Sequence, residues 1–482
     1  MNAPLPAATR QSVLAADLAA LPLIEKWVSF ASVSRDSNLP LLDWTQARLE
    51  ALGIECRRTY DDSGKKANLW ATLPAENGET KVGGLVLSGH TDVVPVDGQP
   101  WDTDPFTAQV IGDKLYGRGV TDMKSYGATA LMMVPELLKR KLKRPVHLAF
   151  SYDEEVGCIG VRRLIADMVE QGYKPAGCIV GEPTGMQVVI AHKGKHAYKT
   201  SVRGFEAHSS LTPLGVNAVE IACEFVAHLK SMHRRLAAEG PFDAIYDVPH
   251  TTIHTGVIAG GTALNIIPRD CDVTWEIRHH HMNSPVELFN EAKAFADSLV
   301  PAMQAVAADT GITHKLNSVL PGFATDAGSD IAQLCFKCAD VDAASGAGKV
   351  SFGTEAALFH QAGVPTIVCG PGHIAQAHQP NEWVTLEQLA WCERFMPPGR
   401  RDLRELKIRP SNKHYQTRET LHDATPRLPG HRPGPGRGQR PGPTQHQDRT
   451  HRRALRGRRR AGLARARHVQ RARRRAWPEC HH

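Results

Sequence analysis

Ligand-type side chains close apolar, strand-like runs at widely separated places in this chain, and that pattern limits the possible folds more than any other feature. His90 closes LVLSGH, Glu155 follows FSYDE, Glu182 closes CIVGE, Asp122 lies in the turn GRGVTDMK, and His378 follows GPG in a polar loop. Apolar strands do not end in carboxylates and imidazoles unless something compensates the buried charge. Two divalent cations would do so, and these five residues read as the ligands of one two-metal site. Such a site implies hydrolysis by metal-activated water.

Single motifs are weaker than the set. His90 and Asp92 stand two apart on a strand end and so share a face, which places Asp92 to fix the histidine tautomer. Asp122 alone would be an ordinary helix cap; among the other ligands it is the candidate bridge between two mutually repelling cations. Glu154 and Glu155, with Asp153 beside them, would repel strongly if unpaired. A division of labour resolves this: one binds metal, the other takes a proton from the attacking water.

Strand-like runs at Asn68–Thr72, Gly84–His90 and Val146–Tyr152, with the helix-forming stretch Ser125–Leu142 between them, predict an α/β fold. The sheet is expected to be mixed and mostly parallel, with ligands at the carboxyl ends of its strands. Near Gly194 the pattern changes. KHAYKTSVRG, TTIHTGVIAGG and CDVTWEIRHHH alternate like half-exposed strands, and two long helical stretches accompany them, the second capped by Ser284. VPTIVCGPG then resumes the unbroken apolar runs seen before Gly194. The chain is therefore expected to hold a catalytic domain in two parts, residues 1–193 and 306–396, around an inserted α+β domain at 194–305. TLEQLAWCERFM predicts a last helix with Thr385 and Gln388 as a capping box.

Beyond residue 396 apolar periodicity stops, and the stretch 397–482 is expected to be a disordered Arg/Pro-rich tail, of the composition a frameshift in GC-rich DNA would produce. From residue 401 onward 23 Lys and Arg face 6 Asp and Glu, a net of +17. The other 35 bases and 44 acids leave residues 1–400 at −9, so the basic pI says nothing about a substrate. A polyanion-binding role through the tail is the competing reading from another class, disfavoured because the tail lacks interleaved aromatics. No run of about 18 apolar residues predicts a membrane span, and MNAPLPAATRQSVLAADL does not read as a signal peptide, so a cytoplasmic protein is expected. Cys335 and Cys338 read as a buried helical pair rather than a metal or redox motif.

Taken together, GHTDVVPVDG, GRGVTDMK, DEEVGCIG, GEPT, HKGK, GFEAHSSLTPLGVNA, GGTALNIIP, FGTEAALF and AHQPNE resemble, in order, the motifs of the dinuclear-zinc aminoacylase and carboxypeptidase family. The resemblance implies a small-molecule N-acyl amino acid substrate, zinc as the metal with cobalt able to substitute, and a homodimer formed through the inserted lid domain. It implies His90, Asp122 and Glu182 on one metal and Asp122, Glu155 and His378 on the other. Glu154 is then the general base and Asp92 the support of His90. His208 matches a lid histidine that reaches into the partner subunit's site, Asn265 and Arg278 match positions that hold the substrate carboxylate, and Gly353 lies in a loop near the site. The acyl group is left between acetyl and a larger one such as succinyl. Two departures stand out: Ser125 replaces a usual Gly, and His279, His280 and His281 follow Arg278, where they read as an exposed, partly charged turn.

Overall fold

The computed structural model describes residues 14–342 and 346–396; the tail expected at 397–482 lies outside the described residues. The body begins with helices α1 (Leu21–Val28) and α2 (Leu39–Glu50), then strands β1 (Cys56–Tyr60), β2 (Ala67–Leu73) and β3 (Leu85–His90). Two short strands, β4 (Gln109–Ile111) and β5 (Lys114–Tyr116), precede α3 (Lys124–Leu138), β6 (Val146–Ser151), α4 (Ile159–Glu170), β7 (Gly177–Pro183) and β8 (Val188–His192). The next stretch holds β9 (Gly194–Arg203), α5 (Ala218–Glu239), β10 (Thr252–Gly260), β11 (Asp270–His279), α6 (Pro285–Val306) and β12 (Gly311–Leu320). The chain then returns to the body with β13 (Phe323–Ala324), α7 (Asp330–Ala339), β14 (Ala347–Val350), α8 (Ala356–Gln361), β15 (Thr366–Gly370), β16 (Trp383–Thr385) and α9 (Leu386–Phe395).

The main sheet runs β1-β2-β6-β3-β7-β15-β8-β13, with β14 also on β8. Its centre, β6-β3-β7-β15, is parallel, and antiparallel pairs flank it. These central strands are buried along their length because both faces are covered, which is why they read as unbroken apolar runs. Alternation survives in which core each side chain enters. Leu85, Leu87, Leu148, Ile179 and Ile367 join one cluster with α1, α3 and α9, while Val86, Ala149, Val180 and Val368 join the other with α4 and α8. Gly181 is required by close approach, since a Cβ there would lie 1.9 Å from the Tyr126 ring of α3.

A second, four-stranded antiparallel sheet, ordered β10-β11-β9-β12, carries its own core with α5 and α6, centred on Trp275, Tyr198 and Phe225. The inserted segment expected to end at residue 305 continues through β12, which pairs with β9 along its length. Its loop before β10 is tied to the body by Lys193, whose Nζ donates to the carbonyls of Val248 (2.6 Å) and His250 (2.7 Å), and by a Lys349–Asp243 ion pair at 2.6 Å.

Several local expectations meet specific partners. Ser284 caps α6, and Cys335 and Cys338 are buried in α7. Thr385 caps α9, but Gln388 does not complete the box: its side chain accepts from Gly372 N instead. Ser125 is buried and donates to Val120 O at 2.6 Å, so a polar residue is accommodated where Gly was expected. The histidine run is not an exposed charged turn. His280 is buried with Nε2 donating to Pro241 O at 3.0 Å, and burial lowers the pKa of His279 to about 4, leaving only His281 exposed.

Candidate metal centre

The central parallel strands deliver the donors from their carboxyl ends. His90 is the last residue of β3, Glu154 and Glu155 stand just past β6, Glu182 lies near the end of β7, and His378 follows β15. Asp122 comes from the turn between β5 and α3. That turn needs Gly119, whose φ is +86° and whose Cβ would meet Val93 Cγ1 at 2.9 Å. His378 itself adopts a left-handed backbone, φ +62°, the kind of local strain that persists only where surroundings hold it.

The five residues read as ligands come together around Asp122. Its Oδ1 lies 2.9 Å from His90 Nε2 and its Oδ2 lies 3.2 Å from His378 Nε2. His378 Nε2 is also 3.0 Å from Glu155 Oε2, and Glu182 Oε1 is 3.8 Å from His90 Nε2. Glu154 joins the same cluster: donor atoms of His90, Glu154 and Glu182, and of His90, Asp122 and Glu155, lie within 4.8 Å of one another.

Asp92 supports His90 differently from expectation. Its backbone carbonyl, which can only accept, takes the bond from His90 Nδ1 at 2.9 Å, while its carboxylate stands off at 3.6 Å. Nδ1 is thereby fixed as a donor, which leaves Nε2 as the ring atom that faces the carboxylates. The Asp92 carboxylate instead holds the acidic turn, accepting from Glu154 N (3.1 Å) and Ser34 Oγ (2.7 Å). The third acid of that turn, Asp153, is neutralised by Lys66 at 2.6 Å.

Four carboxylates, Asp122 and Glu182 buried and Glu154 and Glu155 partly so, crowd against two imidazoles, an arrangement that calls for protonation or for cations. Burial first, then the surrounding acids, raise Glu154 to about 8 and Glu155 to about 7, and lift Glu182 well above the carboxylate range. Hydrogen bonds to Asp122 and Glu155 lift His378 to about 10. Asp122 moves the other way: burial would raise it, but the bonds to His378 and His90 win. Glu155 Oε1 is buried without a hydrogen-bond partner. Two divalent ions would balance four carboxylates and engage that oxygen, so the donor set fits divalent metal.

Among the described residues, no hydrogen bond or ion pair joins His208, Asn265 or Arg278 to this cluster. His208 is exposed, with Nδ1 2.8 Å from Ser210 Oγ, and the carbonyl of Asn265 accepts from Ser209 N at 3.1 Å. Arg278 Nε donates to Glu276 at 2.8 Å. Gly353 packs where a Cβ would meet Leu320 Cδ2 at 2.4 Å. The sequence reading missed Glu382, Arg118 and Gln99, which brace the donors, and Cys158, whose Sγ lies 3.1 Å from Glu154 Oε1. Glu382 stands in the AHQPNE motif, but nothing in its polar context signals burial.

Fold and donor set together define a metal-dependent hydrolase acting on an amide bond. The chain belongs to peptidase family M20/M25/M40, whose model matches residues 86–396. It is 34% identical to the acetylornithine deacetylase of Myxococcus xanthus over 377 residues, 76% of this chain and 92% of that protein. Against the acetylornithine deacetylase of Proteus mirabilis (strain HI4320) it is 33% identical over 355 residues, 73% of this chain and 86% of the relative. In fold it is similar to a tripeptidase from Staphylococcus aureus (TM-score 0.62, 18% identity, 80% of this chain and 98% of that chain). A dinuclear metal binding peptidase from Bacillus subtilis is likewise similar (TM-score 0.56, 14% identity, 81% and 99% of the two chains).

Proposed function

We propose that this chain removes the acetyl group from N2-acetyl-L-ornithine, giving L-ornithine and acetate, as a step of arginine biosynthesis in the cytoplasm. The reading is carried by the donor cluster that Glu154 shares with His90, Asp122, Glu155 and Glu182; the substrate follows from the similarity to acetylornithine deacetylases. His90, Asp122 and Glu182 would hold one ion and Asp122, Glu155 and His378 the other, with Asp122 bridging. Zinc suits this nitrogen and oxygen set, and cobalt substitutes. When bound, the ions polarise the amide carbonyl and lower the pKa of a water toward neutrality.

The chain's own residues do the rest. Glu154 takes the proton of the attacking water on its carboxylate and returns it to the departing amine. Cations among its neighbours would draw its raised pKa down toward neutrality, where a general base works best. Arg278, which uses only Nε on Glu276 among its described contacts, would clamp the substrate α-carboxylate, with Asn265 beside it and Gly353 lining the approach. His208 of the partner subunit would hold the developing oxyanion. A dimer is supported by the β10 edge, where Val257 and Ile258 are 56% and 46% exposed, and by the exposed Leu264 and Leu214 elsewhere in the insert.

The test is a substrate panel on the purified protein. N2-acetyl-L-ornithine should give the highest kcat/KM, with activity abolished by chelation and restored by Zn²⁺ or Co²⁺. A preference for N-succinyl-diaminopimelate would replace this reading with a desuccinylase on the same scaffold.

A further inference from the structure

Behind the donors lies an ion pair that the chemistry does not use. Glu382 and Arg118 meet at 2.7 Å with both side chains 1% exposed. A buried pair of this kind is weak evidence for stability, because an apolar pair of similar volume commonly does as well. Its contacts point elsewhere. Glu382 Oε1 accepts from the backbone N–H groups of Thr121 (2.8 Å) and Asp122 (3.0 Å), and Oε2 accepts from Gly119 N (3.1 Å) and Arg118 Nη1 (2.7 Å). Both oxygens are thus spent on the single turn that presents Asp122. On the far side, Arg118 Nη2 donates to Gln99 Oε1 at 2.5 Å, and Gln99 Nε2 donates to the carbonyl of His378 at 3.0 Å. The His378 loop is held twice, through Gln99 at its start and through Glu382 four residues on.

We propose that Glu382, through Arg118 and Gln99, is a positioning residue that locks Asp122 and His378 into one rigid unit, so that metal binding on the His378 side depends on it. The inference rests on the dinuclear-metal reading above. It explains why a left-handed backbone at His378 is sustained, since its carbonyl is gripped on one side and its loop anchored on the other. It also explains why a carboxylate is buried where it touches no substrate. Only an acceptor with two oxygens, each taking two bonds, can hold three N–H groups and a guanidinium in this arrangement.

The experiment is a Co²⁺ titration of the full chain in chelator-buffered solution, followed by visible absorption and paired with melting of the metal-free protein. Glu382→Gln keeps the size but puts an NH₂ where Gly119 N and Arg118 need an acceptor. It should weaken the ion on the His378 side roughly 10–100-fold and alter its absorption band, and weaken the other ion, which shares Asp122, by a smaller factor. Gln99→Ala, at a more exposed position, should weaken the ion on the His378 side by a smaller factor with melting unchanged. A Glu382→Gln protein that melts lower but binds both ions with wild-type affinity and spectrum makes the residue merely structural and overturns the proposal. Should that variant not fold, Gln99→Ala decides alone: a weakened ion supports the proposal and wild-type binding of both overturns it. A wild-type chain that binds no Co²⁺ sinks the metal reading and the clamp together, whereas two ions bound normally in every variant sinks the clamp only.

Discussion

Adjacent carboxylates at 154 and 155 meet different partners because the turn after β6 aims them apart. Glu155 reaches His378 at 3.0 Å, whereas the described side-chain bond of Glu154 is to the Cys158 thiol. Glu154→Gln should therefore retain both metals and lose turnover by about 10²–10⁴-fold, since an amide holds the geometry but accepts no proton. Metal analysis beside steady-state kinetics checks it; near-normal turnover would remove Glu154 from the base role. At this scale the sequence was legible where a charge interrupts an apolar run, as at His90 and Glu182, because burial of such a group demands a reason. It was not legible at Glu382, whose neighbours are polar and whose burial comes from a turn 260 residues away. Nor could it show that Asp92 would use its carbonyl on His90 and its carboxylate on the acidic turn.

Elements carry their own titration behaviour. On β6, His147 is buried between Trp70, stacked at 4.8 Å, and Tyr173, and its Nδ1 lies 3.0 Å from Thr72 Oγ1. That hydroxyl also accepts from Trp70 Nε1, and His147 Nε2 is buried without a hydrogen-bond partner. Burial lowers the pKa to about 3 from 6.5, so the folded state resists a proton that the unfolded chain accepts. The stability this neutral form provides is whole above pH 6.5 and is lost progressively as pH falls toward 3, at about 1.4 kcal/mol per pH unit. His147→Phe should flatten that loss. Denaturant unfolding of both proteins between pH 7 and 4 measures the difference, and parallel curves would show that His147 is not titrating there. The parallel strands were readable as elements because helices cover both faces and leave unbroken apolar runs. The end of the insert was not, since β12 joins it by pairing with β9, which lies more than a hundred residues before it in the chain, and by packing Ile312 and Leu316 on the insert's core.

At the scale of the whole molecule the question is whether one chain makes a complete site. The donor cluster is assembled within the body, yet His208 lies on the insert, exposed and without a described contact to that cluster. The β10 edge of the same insert presents Val257 and Ile258 to solvent, where a second copy could extend the sheet and bring its own His208 across. If the site is shared in this way, mixing His208→Ala protomers with Glu154→Gln protomers creates heterodimers in which one of two sites has both groups intact. Each parent alone should be nearly inactive, and subunit exchange should restore activity toward half the wild-type value per heterodimer. Mixed samples that stay at the level of the parents, after exchange is verified by mass-tagged subunits, would mean that His208 acts within its own chain or not at all.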